Sequence, residues 1–254
     1  MTLKSQLPPE EQINSLIALY SSGQIQKAFD AVEALIKDYP NEALFYNISG
    51  ACYASLGHLD KAVRRYKEAI GINPSYAEAH NNLGITLQEL GKMDEAVKSY
   101  EQAITIKPDF AEALNNLGIS LQELGQLDAA VKNYEKAISI KSEFANAHYN
   151  LGLTLERLGS ISQLNSAINC YEKTLSIQPD FADVHNHLGN VRSDLGQLDR
   201  AVQSYEKAIG LNSNFAEAFN NLGNALQELG KMDEAVKSYE QAIKIEPNFA
   251  EAYY

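Results

Sequence analysis

The chain has 254 residues, 45% apolar and 21% charged, which is enough to bury a substantial core and is typical of a folded protein. Its net charge of −12 is opposite in sign to that of a typical nucleic-acid-binding protein. No apolar run approaches the roughly 18 residues that a membrane span needs, and the start MTLKSQLPPEEQ lacks a signal-peptide core, so we expect no membrane or nucleic-acid partner and a cytoplasmic protein.

One segment recurs along the chain with a period of 34 residues. Residues 77–110 and 216–249 differ at six of their 34 positions. This frame leaves an N-terminal lead-in at 1–8 and the start of an eighth copy at 250–254. Between them it predicts seven repeats, at 9–42, 43–76, 77–110, 111–144, 145–181, 182–215 and 216–249.

Each repeat carries two helical patterns, helix A and then helix B. In the third repeat, helix A carries apolar residues at helical spacing and stops at Gly91, a residue suited to a left-handed helix end. Helix B begins near Asp94 and ends before Pro108. Small residues such as Gly84 and Ala96 mark points where helices approach closely. One hairpin cannot bury its apolar stripes alone, so stacking of successive copies predicts an all-α fold, an α-solenoid.

The first and fifth repeats depart most from the pattern, and the fourth and sixth end in Ser142 and Ser213 where the others have Pro. The first has Ser15 and Leu16 where the others have Leu-Gly, although Gly23, Ala28 and Pro40 hold the frame. The fifth inserts three residues within 159–167, between its two helices. This insertion predicts a longer turn or almost one extra helical turn at the start of helix B, and a binding loop is the alternative.

The repeats resemble the tetratricopeptide repeat (TPR) family, whose pattern pairs Leu-Gly in helix A with Ala and an aromatic residue in helix B, followed by Pro. The third repeat shows it as Leu83, Gly84, Ala96, Tyr100 and Pro108, and the pattern recurs in phase over residues 9–254. The resemblance implies a right-handed superhelix of stacked helix-turn-helix hairpins. It also implies that the A helices line a concave groove through positions 2, 5, 6, 9, 12 and 13 of each repeat.

Charge is distributed unevenly over these A helices. The only basic residues on them in repeats three to seven are Arg157 and Arg192, while Lys residues fall on the B helices. Nine acidic residues lie on the same helices: Glu78, Glu89, Glu112, Glu123, Glu156, Asp183, Asp194, Glu217 and Glu228. An acidic groove repels nucleic acid and other anions, and it favours a neutral or basic polypeptide.

The sixth position of each repeat carries a row of amides, which we call the asparagine row. Read along the chain, this position holds Asn14, Ile48, Asn82, Asn116, Asn150, His187 and Asn221. An Asn amide offers two donors and an acceptor, the complement of a peptide backbone. A similar asparagine ladder holds the substrate polypeptide in O-linked N-acetylglucosamine transferase, which the array resembles. The fifth-position residue beside it, such as Asn81, is expected to border the groove.

The predicted peptide-binding residues combine this row with polar residues at the other groove positions. They are Asn82, Asn116, Asn150, His187, Asn221, Gln88, Glu89, Gln122, Glu123, Glu156, Asn190, Asn224 and Gln227. No nucleophile recurs beside a base, so we predict no catalytic residue and no enzyme. His, Cys and carboxylates do not meet at metal-ligand spacing, so we expect no metal and no cofactor, and Cys52 and Cys170 are expected to be free thiols.

Three functions agree with these observations. The first is a protein-interaction scaffold that binds an extended polypeptide in its groove. The second is the substrate-recruiting N-terminal region of a larger glycosyltransferase or sulfotransferase. This hypothesis is based on residues 250–254, which match the start of helix A of an eighth repeat. The third is a self-associating array, in which the uncapped C-terminal repeat binds end to end to another copy.

Overall fold

Residues 8–247 are described by the structure, a computed structural model, and they fold into fourteen α-helices with no strand. In chain order α1 to α14 are Glu10–Ser21, Ile25–Asp38, Ala43–Ser55, Leu59–Ile72, Ala77–Glu89, Met93–Ile106, Ala111–Glu123, Leu127–Ile140, Ala145–Leu158, Ile161–Ile177, Ala182–Asp194, Leu198–Leu211, Ala216–Glu228 and Met232–Ile245. Odd-numbered helices are the A helices and even-numbered helices are the B helices. Residues 1–7 of the predicted lead-in and the predicted eighth-repeat start at 250–254 lie outside the described residues.

A glycine in the left-handed conformation closes each A helix. In the third repeat Gly91 has φ +71°, and the N–H of the next residue, Lys92, donates to the carbonyl of Leu87 at 2.8 Å. This bond satisfies a carbonyl that the helix end would leave unpaired. Met93 then begins α6 after a three-residue reversal of the chain. The turn sets the A and B helices of one repeat side by side.

The chain divides into two compact units within the fourth repeat. The first ends at Gly125 and contains α1 to α7, and the second begins at Gln126 and contains α8 to α14. Inside each unit every helix packs on the next one along the chain, and A helices of adjacent repeats also touch. Because contacts run between sequence neighbours, the predicted all-α solenoid is confirmed.

A glycine and a tyrosine make the close contact inside most repeats. A Cβ built on Gly84 of α5 would lie 2.6 Å from Cε1 of Tyr100 on α6, nearer than real Cβ contacts come. The same contact occurs at Gly50 with Tyr66, Gly152 with Tyr171, Gly189 with Tyr205 and Gly223 with Tyr239. The sequence prediction of a close approach at Gly84 is therefore confirmed.

In the first repeat the larger residue of this contact lies on helix A and the smaller one on helix B, the reverse of the other repeats. Leu16 stands at the glycine position of α1 and Val32 at the tyrosine position of α2, and both are buried, at 1% and 0% exposure. They belong to one apolar cluster with Phe45 and Cys52. A larger residue on helix A thus faces a smaller one on helix B, which conserves core volume.

The three inserted residues of the fifth repeat lengthen helix B. Helix α10 has 17 residues where the other full-length B helices have 14. Gly159 ends α9 in the left-handed conformation, and Ser160 caps α10 by accepting from the N–H of Gln163 at 3.3 Å. The Gln163 side chain accepts from the Ser160 N–H at 3.1 Å, which completes a capping box. Of the alternatives left open by the sequence, the extra helical turn is the one observed.

Candidate functional site

The asparagine row lies on the A helices. Its members from Asn82 onwards are half-buried, whereas Ile48 is buried and Asn14 is exposed. Each of three of these amides donates a hydrogen bond to the fifth-position Asn of the preceding repeat. The Nδ2 to Oδ1 distances are 3.1 Å from Asn82 to Asn47, 3.1 Å from Asn116 to Asn81 and 3.2 Å from Asn221 to Asn186. We call each such bond an amide pair. The paired asparagines of the repeated NNLG segment therefore join one repeat to the next.

Asn81 and Asn186 are buried between repeats and do not border the groove as expected, whereas the fifth-position Asn47 lines a cavity that Asn82 also lines. Asn81 is 6% exposed and Asn186 only 1%. Asn186 also donates to Oε1 of Glu217 in the next repeat at 3.0 Å, so it bonds to two residues of α13. Positions five and six are about 100° apart around a helix. The fifth-position side chain faces the A helix of the following repeat, and the sixth-position side chain lies at the edge of that contact.

Two of the three amide pairs leave an acceptor on the asparagine row available to a ligand. Among residues 8–247, Oδ1 of Asn82 and Oδ1 of Asn221 accept no hydrogen bond. A carbonyl oxygen of this kind can accept a backbone N–H of a bound peptide. The same side chain can therefore hold two repeats together and contact a ligand.

Two cavities that share the lining residues Ile85 and Glu89 lie on the first unit, and we call the surface that they form the unit-1 face. The first, about 490 Å³, is lined by residues of α1, α3, α4 and α5 that include Asn82 and Glu89. The second, about 470 Å³, is lined by Gln88, Glu89, Asn116 and Glu123 together with Tyr100 and Met93. The structure thus brings five of the six predicted residues of this unit to one surface. Gln122 does not line either cavity.

Gln88 lines the second cavity and is held by three hydrogen bonds. Its Oε1 accepts from the Tyr100 hydroxyl at 3.1 Å and from Ser120 at 3.3 Å, and its Nε2 donates to Glu123 at 3.3 Å. Burial, with the charges of Glu123 and Glu89, raises the pKa of Tyr100, so its hydroxyl stays protonated and donates. These bonds fix the polar part of the unit-1 face before any ligand binds.

The unit-1 face also has an apolar floor. The sequence analysis missed it because it selected groove residues by their charged and amide groups. Ile48 and Ala51 of α3 line the first cavity, and Ile85 of α5 lines both. Ile85 is 37% exposed, a large apolar side chain open to solvent. The signal was present in the sequence, since Ala51 and Ile85 occupy the ninth position of their repeats, one of the positions that the resemblance assigns to the groove.

On the second unit His187 replaces asparagine, and its partners change with it. The fifth-position residue before it is Tyr149, and the rings of Tyr149 and His187 lie with centroids 6.1 Å apart, where other repeats have an amide pair. Nδ1 of His187 lies 3.2 Å from Oε2 of Glu156, and the Tyr171 hydroxyl donates to the same oxygen at 2.5 Å. The two predicted residues His187 and Glu156 are thus in direct contact.

The charges around His187 favour its protonated form. Burial of the ring disfavours the imidazolium, but the hydrogen bond to Glu156 and the negative charges of Glu156, Glu217 and Asp183 outweigh this and raise the pKa of His187. Burial and the charge of Glu156 likewise raise the pKa of Asp194. His187 of the second unit therefore lies among acidic side chains that stabilise its charged form.

Three further predicted residues of the second unit, Asn190, Asn224 and Gln227, hold tyrosine hydroxyls. Asn190 accepts from Tyr205 at 2.9 Å and also from Nδ2 of Asn221 at 3.1 Å. Asn224 and Gln227 both accept from Tyr239, at 2.8 and 2.9 Å. These contacts repeat the link between Tyr100 and Gln88, in which a helix B tyrosine bonds to a polar side chain of helix A.

The sequence analysis counted Arg192 with Arg157 as the basic residues of the groove helices. In the structure, Arg192 does not contribute its charge to the groove. Its Nη2 donates to Glu172 of α10 at 2.8 Å, and its Nη1 donates to Ser204 of α12 at 2.8 Å. Its side chain is 17% exposed and lies between B helices. In helix A it stands where the third, fourth, fifth and seventh repeats have Leu. Its removal from the groove makes the A-helix surface of the second unit more acidic than the sequence count indicated.

Other candidate chemistry is accounted for by packing. Cys52 and Cys170 are buried free thiols, and burial raises the pKa of each to about 11. Within residues 8–247 no three His, Cys, Asp or Glu residues are grouped so that they could hold a metal ion. None of the helices in that range is both long and apolar enough to span a bilayer.

Family models match most of the chain. A model described as TPR repeat matches residues 50–91, 86–125, 121–159, 160–196 and 189–230. A model described as Tetratricopeptide repeat matches residues 216–249. No curated protein matches the chain.

Solved structures with the same fold cover most of the chain. MamA is 27% identical with a TM-score of 0.62, and the match covers 68% of this chain and 98% of MamA. YrrB, described as a TPR protein with an unusual peptide-binding site, is 21% identical with a TM-score of 0.66, covering 74% of this chain and 95% of YrrB. Pseudomonas aeruginosa pilF is 21% identical with a TM-score of 0.71, covering 84% and 95%.

Proposed function

Because the chain belongs to the tetratricopeptide repeat family, a family of protein-interaction scaffolds, we propose that it binds an extended polypeptide on the unit-1 face. The observation that carries this proposal is the pair of adjoining cavities, about 490 and 470 Å³, with Ile85 and Glu89 lining both. Each cavity is large enough to take one or two side chains of a peptide. An extended chain advances roughly 3.3 Å per residue, so one peptide can occupy both.

The chemistry of the face selects the peptide. Ile48, Ala51 and Ile85 offer an apolar floor that binds an apolar side chain by removing its surface from water. Glu89 and Glu123 at the opening attract Lys or Arg and repel Asp or Glu. The ligand is therefore a peptide in which an apolar residue lies close to a basic one. Nucleic acid does not fit this surface, because its phosphates would face the two carboxylates.

The asparagine row adds backbone contacts to this recognition. Oδ1 of Asn82 opens towards the first cavity without an internal partner, and it can accept one peptide N–H. On the second unit Oδ1 of Asn221 offers the same kind of contact. The similarity to YrrB, a TPR protein with a peptide-binding site, supports a polypeptide as the ligand class.

Two further expectations from the sequence belong to this proposal. We place the scaffold in the cytoplasm and assign it no catalytic step of its own. The reading as the recruiting region of a larger transferase gains no specific support from residues 8–247, and a peptide-binding face serves a free scaffold and a recruiting region equally well.

The test uses a displayed library of random twelve-residue peptides selected against the 254-residue chain. We expect enriched sequences to combine an apolar residue with Lys or Arg. The variant Ile85→Lys places a cation on the apolar floor and should weaken binding of a selected peptide by at least about tenfold, which corresponds to roughly 1.4 kcal/mol. Asn82 and Asn116 are unsuitable for this test because their amides also join repeats.

The matched control is Ile72→Lys, a similarly exposed isoleucine at the end of α4 that lines neither cavity. Both variants should unfold at the temperature of the unmodified chain, since each removes a side chain that is already more than a third exposed. Failure to enrich any peptide, or equal affinity of Ile85→Lys and the unmodified chain for the selected peptide, would reject the proposal.

A further inference from the structure

One cavity of the second unit shares no residue with the unit-1 face. It has a volume of about 510 Å³ and is lined by side chains of α10, α11 and α12, with Pro179 from the segment between α10 and α11. Arg192 of α11 lines it, and we call it the Arg192 cavity. A cavity of this size takes a small molecule or one or two side chains of a partner protein. The proposed peptide site does not use it.

Arg192 is fixed in this cavity by the two helices on either side of it. Its Nη2 donates to Glu172 of α10 at 2.8 Å, and its Nη1 donates to Ser204 of α12 at 2.8 Å. The Ser204 hydroxyl in turn donates to the carbonyl of Arg200 at 2.9 Å. A guanidinium has five N–H donors, and Nε of Arg192 is buried with no partner among residues 8–247. The side chain is therefore held in place with part of its hydrogen-bonding capacity unused.

The charges that line the cavity do not balance. Arg192 and Lys207 are cations, and Glu172 is the one carboxylate of the lining. Burial lowers the pKa of His185, and the charges of Lys207 and Arg192 lower it further, although its hydrogen bond to the carbonyl of Pro179 acts in the opposite direction. This imidazole is therefore neutral at pH 7, and one positive charge of the lining is left uncompensated, in a chain whose net charge is −12. The cavity attracts an anion.

The rest of the lining narrows the class of anion. Leu175, Pro179 and Leu188 line the same cavity and offer apolar contact, so a ligand that fills it has an apolar part beside its charged group. A carboxylate has a single negative charge, which matches the single uncompensated positive charge. A phosphate group on a side chain carries about −1.5 to −2 at neutral pH and exceeds it. An arginine fork also fits the two oxygens of a carboxylate.

We propose that the Arg192 cavity binds an Asp or Glu side chain that lies next to an apolar residue in a partner polypeptide. The carboxylate accepts from Arg192 and pairs with Lys207, and the apolar neighbour packs on Leu175 and Leu188. A polypeptide is the ligand class because the chain belongs to a family of protein-interaction scaffolds. This second site prefers the charge opposite to that preferred by the unit-1 face, and it does not rest on peptide binding there.

The test selects a displayed library of random peptides against the full chain carrying Ile85→Lys, so that the unit-1 face does not supply the binding site. We expect enriched sequences to combine Asp or Glu with an apolar neighbour. Arg192→Leu places the residue of four other repeats at this position, and it should weaken binding of a selected peptide by at least about tenfold. Lys207→Gln, the residue of the third and seventh repeats, should weaken it by about threefold.

The matched control is Lys136→Gln, the same change at the same position of the fourth repeat, where the side chain is also exposed and does not line the cavity. It should leave binding unchanged. Glu172→Gln should instead strengthen binding by about threefold, because it removes the one carboxylate that faces the ligand. Glu172, Lys207 and Lys136 are exposed, so these three variants should keep the unfolding temperature, and the test does not depend on how Arg192→Leu folds.

Four results would overturn the proposal, and none of them bears on the unit-1 face. The first is a selection that enriches no acidic peptide. The second is equal affinity of Lys207→Gln and Lys136→Gln for the selected peptide. The third is weaker binding by Glu172→Gln. The fourth is tighter binding when phosphoserine replaces the acidic residue of the peptide, which would assign the cavity to phosphate and not to carboxylate.

Discussion

The ring of Tyr100 lies so close to the backbone of Gly84 that a Cβ on the glycine would stand 2.6 Å from Cε1. Tyr100 is fully buried and its hydroxyl is held by Gln88, so the ring has little freedom to move away. The contact sets how closely α5 and α6 approach.

Gly84→Ala should therefore destabilise the protein although alanine is the better helix former. We expect the free energy of unfolding to fall by about 1–3 kcal/mol, the usual cost of overpacking a core. Gly71→Ala is the matched control, because a Cβ there meets nothing within 4 Å, and it should leave stability unchanged or raise it by up to about 1 kcal/mol. Urea unfolding followed by circular dichroism measures both. Equal stability of the two variants would contradict the account of the contact.

The first repeat suggests a way to rescue this contact. Leu16 and Val32 fill the space that Gly84 and Tyr100 fill in the third repeat. We expect Gly84→Leu alone to destabilise the protein strongly, and Gly84→Leu combined with Tyr100→Val to recover at least about 1 kcal/mol of that loss. A double-mutant cycle from urea unfolding gives this coupling energy. Additive effects of the two substitutions would show that the exchange of sizes in the first repeat is not transferable.

The sequence determined the helices and their order because a period of 34 residues leaves little choice of hairpin. It also located the Gly84 contact, and it gave the extra turn of α10 as one of its alternatives for the three inserted residues. It did not show that Asn81 is buried and Asn116 is its partner, since two adjacent Asn letters do not tell which side chain faces the next repeat. That assignment depends on how neighbouring A helices pack. The position of Arg192 between B helices was missed for the same reason.

The amide pairs make a separate contribution to stability. Asn186 accepts from Asn221 and donates to Glu217, and both partners lie in the next repeat. Asn186→Ala removes these bonds and leaves a cavity, so the free energy of unfolding should fall by about 1–3 kcal/mol. Asn169→Ala, the same change at an exposed site of α10, should leave stability within about 0.5 kcal/mol. Chemical unfolding of the two variants side by side tests this, and equal midpoints would exclude a stabilising role for the pair.

The two cysteines should be unreactive in the folded protein. Burial, together with a nearby carboxylate, raises the pKa of Cys52 and of Cys170 to about 11, so at pH 8 only about one thiol in a thousand is the reactive thiolate. Iodoacetamide at pH 8 should label neither residue under native conditions and both in denaturant, as read by mass spectrometry. Fast native labelling of either thiol would show that its helix opens readily.

The contact between His187 and Glu156 should make stability depend on pH in a defined direction. Burial opposes the charge on His187, but Glu156, Glu217 and Asp183 outweigh it and raise the pKa of His187 above its unfolded value of about 6.5. The stabilisation is therefore complete below that unfolded pKa and is lost as the pH rises through the folded pKa. Tyr149 and Tyr171, which also face the ring, have raised pKa values and stay neutral in this range.

The variant His187→Asn isolates this effect, because it restores the residue found at this position in other repeats and cannot titrate. The free energy of unfolding of the unmodified chain minus that of the variant should decrease as the pH rises from roughly 6 to roughly 8. His185 has its pKa lowered, chiefly by burial, and contributes in the opposite direction, but it is present in both proteins and cancels in the difference. Glu156→Gln should flatten the difference by removing the charge that faces His187. A difference that is constant with pH, or that increases, would show that Glu156 does not hold the imidazolium in the folded protein.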